Sequence, residues 1–135
     1  MITRRAFTAA LSLTGLTALA GFSPLRLITD AIAQGAADVA KPEGQKALFA
    51  ACPEPDILVN NNAGPPFRDF RELTREQILD GVIANMVVAI ELIQKAIDPM
   101  VQKKFGRIVN ITSGSVKMPI AGLDLSSGAR AGLTA

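Results

Sequence analysis

The chain has 135 residues, 49% of them hydrophobic and 19% charged, which suits one domain with a core and does not read as a disordered chain. Its formal net charge is +2, from 14 Lys and Arg against 12 Asp and Glu, and its aromatic residues are Phe alone. With no basic run and no aromatic platform, nucleic-acid binding is not expected. There is no His and one cysteine, Cys52, so no internal disulfide can form and the thiol has no obvious metal partner. Beside Ala50, Ala51 and Pro53, Cys52 reads as a packing residue at a helix end.

Residues 1–33 read as an export-signal-like leader, apart from the fold. Arg4 and Arg5 precede an uncharged apolar stretch from Ala6 to Phe22, and Ala31-Ile32-Ala33 supplies a small-x-small group with cleavage expected after Ala33. "TRRAF" resembles the twin-arginine export motif, and glycine and threonine keep the stretch only moderately greasy. The stretch is also almost long enough for a membrane anchor, and acid-poor like an organellar presequence. A misplaced start or a joined reading frame would give the same pattern. A working leader implies an exported or periplasmic chain that meets a membrane only through that leader; without one the chain is cytoplasmic.

Beyond the leader, Ala37-Asp38-Val39 reads as the end of a strand. "KPEGQKALFAAC" follows as a short helix, with Pro42 suited to its first turn and Glu43 complementing the positive helix start. Pro53 to Asp56 stops it. Ile57-Leu58-Val59 is a short apolar run before a polar turn, as in a strand buried in a parallel sheet. After the turn "NNNAGPPF", Thr74 and Gln77 match a capping box that opens a long helix. Apolar residues then recur at three- and four-residue steps from Ile78 to Val101. Pro99 is expected to kink the last turns and Gly106 to end the helix as a left-handed cap. Arg107 to Ile111 reads as a second buried strand, and a last helix is expected from Ser126 or Ser127. Strand, helix and strand in this order give an α/β architecture with a parallel sheet.

In open α/β sheets a ligand crevice lies outside the carboxyl ends of the strands. "NNNAG", Asn60 to Gly64, stands after one strand and Ser113 after the other, so both face one crevice. At these residues the chain resembles the short-chain dehydrogenase/reductase family. "DILVNNNAG" is similar to its Asn-Asn-Ala-Gly motif with one extra Asn. Asn85 falls where the family keeps a helix Asn, and "GRIVNITS" resembles the strand that delivers the catalytic Ser, here Ser113. The family places Tyr-x-x-x-Lys thirteen residues on; this chain has Ser126 and Arg130 there. The resemblance covers residues 35–135 and rests on four spaced motifs together.

The resemblance implies a partial Rossmann-like, doubly wound parallel sheet over residues 34–135. It also implies hydride transfer between NAD or NADP and a small-molecule carbonyl or alcohol. By resemblance Ser113 polarises the substrate oxygen, Asn85 serves the proton relay, and Ser126 and Arg130 hold the places of the acid and its cation. Asn61, Asn62, Ala63, Gly64 and Arg130 would border the cofactor. The family's subunit contacts use the long helix and the last helix, so a homo-oligomer is expected.

Two departures bear on activity. A serine hydroxyl is a far weaker acid than a phenol, whose ordinary pKa is about 10, and Arg130 stays protonated and cannot relay a proton. Ser126 also suits a helix N-cap, Arg130 a solvated helix position, and Asn61 to Gly64 a plain turn. No Gly-rich phosphate turn follows a strand, and the first βαβ unit and C-terminal strands of the family are not recognisable. The chain therefore reads as a truncated, catalytically impaired oxidoreductase; the alternative is a non-catalytic association module or a gene-fusion remnant on the same scaffold.

Overall fold

The computed structural model of the chain describes residues 6–10, 38–62 and 64–135. Three parallel strands lie in the order β1 (Ala6–Ala10), β2 (Ile57–Asn61) and β3 (Arg107–Asn110). Thr8 stands opposite Val59, and Val59 opposite Val109, so β2 is the middle strand. β1 falls inside the segment that the sequence sets apart as a leader, and its backbone pairs along the whole of β2. The rest of that leader, with its cleavage point at Ala33, lies outside the described residues apart from β1.

Helix α1 (Pro42–Ala51) precedes β2 and has Pro in its first turn, where a missing N–H costs nothing. The expected strand end at Val39 is instead a turn: Lys41 N–H donates to the Asp38 carbonyl at 2.9 Å, and Val39 is buried. Gly44 permits that turn, because a Cβ there would stand 2.1 Å from the Asp38 carbonyl oxygen.

The long helix between β2 and β3 is three pieces. Helix α2 (Arg75–Val82) opens on the expected capping box, with Thr74 and Gln77 bonded in both directions. A π-helical turn, Ile83–Val87, follows, in which Val88 N–H donates to Ile83 O, five residues back. Within it the Asn85 amide donates to the Gly81 carbonyl at 3.0 Å, a local side-chain bond that competes with the regular helical ladder. Helix α3 (Val88–Gln102) completes the element and carries Pro99 inside it. The left-handed residue at its end is Lys104 (φ 53°), not Gly106 as expected. Gly106 is needed for closeness: a Cβ there would meet Met100 Cγ at 2.5 Å.

The core lies where α1 and α3 cover β2. Leu58 on β2 packs with Val39, Leu48, Val88, Leu92, Ala96 and Met100, and Cys52 and Ile108 join its border. A half-buried polar contact ties the same helices: Gln45 donates to Glu91 Oε2 at 2.6 Å and accepts from Lys95 Nζ at 2.6 Å. Lys103 reaches back from the end of α3 to Asp56 at 2.6 Å, fixing the entry to β2. β3 is barely covered, with Val109 47% exposed. Helix α4 (Asp124–Thr134) packs chiefly on α2, the π turn and the turn Gly114–Val116.

Candidate functional site

The carboxyl ends of β2 and β3 meet α4 and the π turn at one corner. Asn60 and Asn110 pair across the two strands, with the Asn60 amide donating to Asn110 Oδ1 at 2.8 Å. Past β2, Asn62 donates its amide to the Ala84 carbonyl, so the strand-end turn is tied to the π turn. Asn61 is exposed at the end of β2, and Ala63 lies outside the described residues.

Arg130 enters this corner from α4. Its Nε donates to Asn85 Oδ1 at 3.1 Å, its Nη1 to the Ile111 carbonyl at 3.2 Å and its Nη2 to the Asn62 carbonyl at 3.0 Å. It is buried, not a solvated helix residue. Asn85 is buried as well, held between Gly81 and Arg130.

Ser126 is 6% exposed and sits in the first turn of α4, which begins at Asp124. It is therefore not the N-cap that the sequence suggested; that position is Leu123, with no side-chain cap. Gly64 faces both α4 residues, since a Cβ on it would lie 3.7 Å from Ser126 Oγ and 3.8 Å from Arg130 Nη2.

Ser113 follows β3 and caps the short helical turn Gly114–Val116. Its Oγ accepts from Ser115 N–H at 3.2 Å and from Ser115 Oγ at 3.0 Å. A hydroxyl that accepts twice keeps its own proton for a third oxygen. Ser115, which the motif spacing does not single out, is 1% exposed and holds Ser113 in place. The Gly114–Val116 turn packs on α4, so the serine loop and the Ser126 helix are neighbours. A mostly apolar cavity of about 270 Å³ adjoins this corner, lined by Gly64, Pro65, Leu73, Ala84, Asn85 and Leu125 among others.

The structure thus brings Asn62, Gly64, Asn85, Ser126 and Arg130 together at one corner and sets Ser113 on the loop beside them. The small set can hydrogen-bond one polar group and seat a modest apolar body.

Known proteins resemble the chain in this same region. A family model described as short chain dehydrogenase matches residues 23–135. The 2,3-dihydroxy-2,3-dihydro-p-cumate dehydrogenase of Pseudomonas putida is 32% identical over 112 residues, covering 78% of this chain and 43% of that protein. A solved short chain dehydrogenase/reductase family protein superposes with a TM-score of 0.67 at 27% identity, over 72% of this chain and 41% of the other. The structure of YwfH, an NADPH dependent reductase involved in bacilysin biosynthesis, has the same fold, with a TM-score of 0.67 at 23% identity over 84% of this chain and 50% of that one. The chain spans under half the length of the curated relatives it matches, and its α/β unit corresponds to part of the Rossmann-like domain of its solved neighbours. With the match running through both strand ends, the serine loop and α4, this chain belongs to the short chain dehydrogenase family.

Proposed function

We propose that the chain derives from an NAD- or NADP-dependent oxidoreductase acting between a small-molecule carbonyl and its alcohol, and that its own turnover is impaired. The observation that carries this reading is the meeting of Asn85, Ser126, Arg130 and Gly64 at the carboxyl edge of β2 and β3, beside Ser113. A nicotinamide, when bound, supplies or accepts the hydride. Asn61, Asn62, Ala63 and Gly64 would border that ring and its sugar. Ser113, with two bonds accepted from Ser115, directs its own proton at a substrate oxygen. Asn85 fixes the floor of the site through Gly81 and Arg130. The cavity beside Leu125 takes the apolar body of the substrate.

Ser126 occupies the acid's place without an acid's chemistry. General acid–base catalysis contributes roughly 10²–10⁴-fold in rate, and a serine hydroxyl forfeits most of that. Fluorescence titration of the full chain with NADH and NADPH tests the reading. Binding at or below millimolar levels with slow turnover is expected; no binding at millimolar levels overturns it.

A second reading is a non-catalytic association module, with a gene-fusion remnant on the same scaffold as the other alternative. It is favoured by exposed Ile83, Ile97 and Val101, at 40%, 40% and 66%, along the π turn and α3. A homo-oligomer seen by sedimentation, with no nucleotide binding, would select it. Export directed by the paired arginines remains part of the proposal, and a reporter fused after residue 33 tests it.

A further inference from the structure

Each nitrogen of the Arg130 guanidinium is bonded to a different segment of the chain: Nε to Asn85 on the π turn, Nη1 to Ile111 past β3, and Nη2 to Asn62 past β2. Two of the three acceptors are main-chain carbonyls just past the strands. Three acceptors on three segments suit a planar fork with fixed spacing. A lysine ammonium, a point charge on a flexible stem, would not hold them in one plane. With 9% exposure, little of the side chain is left to meet a ligand.

A guanidinium has five N–H groups, so two are not used by these bonds. Beside Arg130 is a void of about 10 Å³, bordered by Asn60, Asn85, Ile111, Ala89 and Leu133. Asn60 is 5% exposed, and its Oδ1 has no hydrogen-bond partner among the described residues. A buried amide oxygen without a partner is costly, and a void of this size, largely apolar but bordered by the polar side chains of Asn60, Asn62, Asn85 and Arg130, has room for about one water. It cannot hold a sugar.

We propose that Arg130 is a positioning residue and not a ligand of the cofactor. Its guanidinium locks the ends of β2 and β3 to the turn that bears Asn85, and one buried water joins Asn60 Oδ1 to a spare guanidinium N–H. The lock is a property of the folded chain and stands whether or not the chain turns over a substrate. It gives a physical reason for arginine at this position: the residue works by geometry, with no proton to transfer.

The test is thermal denaturation of the full chain as wild type, Arg130→Ala and Arg130→Lys. Each is scanned with guanidinium chloride at about 10 mM and with sodium chloride at the same ionic strength, since a small cation that fills the emptied site stabilises only the form that has it. Arg130→Ala is expected to lower Tm by about 5–15 °C, Arg130→Lys by less, and guanidinium to restore part of the loss in the Ala variant alone. An Ala variant with the wild-type Tm, or guanidinium acting equally on both chains, overturns the lock. If the Ala variant does not fold, the wild-type Nε–H resonance decides. Slow exchange and no shift on adding NADPH support the proposal, whereas rapid exchange or a nucleotide-induced shift overturns it. A long-lived water cross-peak to the Asn60 amide is expected, and its absence overturns the bridge.

Discussion

Gly81 on α2 lies so close to Leu125 on α4 that a Cβ on the glycine would stand 2.4 Å from Leu125 Cδ2. The same glycine accepts the Asn85 amide through its carbonyl. Helix packing and the placement of a site residue therefore share one small position. Gly81→Ala is expected to destabilise the chain by about 1–3 kcal/mol through overpacking, despite alanine's better helix propensity. Leu125→Ala should suppress part of that loss in the double variant, because the two residues touch. Urea denaturation of the four chains measures both effects, and additive losses would sink the contact.

Ser113 and Ser115 form one unit. Ser113→Ala takes away the acceptor of a hydroxyl on a residue that is 1% exposed, and leaving such a group unpaired costs about 1–3 kcal/mol. The double variant Ser113→Ala with Ser115→Ala should lose less than the sum of the single losses. A double-mutant cycle on stability checks this, and a coupling near zero would contradict the bond.

Restoring a phenol is the direct test of the proposal that Ser126 stands where an acid is missing. Ser126→Tyr is expected to raise carbonyl turnover with NADPH by roughly 10²–10⁴-fold, the usual share of a proton donor. Nucleotide affinity should move far less than turnover. Unchanged turnover in a folded variant would show that the missing acid is not what limits this chain.

Asp69 gives the pH dependence. Bonds from the Arg71 side chain and then from its backbone N–H hold the Asp69 carboxyl below its ordinary value. A carboxyl whose pKa is depressed by folding stabilises the loop above its unfolded value, about 4, and that help is lost as pH falls through the lower folded value. The turn Phe70–Glu72 should therefore loosen only in acid. Carbon-13 titration of Asp69 by NMR checks the direction. A midpoint at or above the ordinary value would count against the pair.

The elements with strong local signals were legible in the residues. The Pro42 helix start, the Thr74–Gln77 box and the apolar runs of β2 and β3 depend on neighbours a few positions away, and they stand where expected. The π turn at Ile83–Val87 was not legible, since apolar spacing looks alike in α- and π-helical geometry. Glycine misled at Gly106, because the letter alone does not say whether a backbone angle or a close neighbour requires it. α4 began two residues earlier than expected, which turned Ser126 from a cap into a buried first-turn residue.

The residues by themselves determined the family and the α/β order, because spacing along a chain survives without knowledge of distance. Only the tertiary structure decided what Arg130 bonds. Its three acceptors come from positions 62, 85 and 111, and one of them is a side chain while two are carbonyls that every residue possesses. A main-chain oxygen carries no sequence signature. Its availability depends on where the strands end and which helix packs above them, and that is settled by folding.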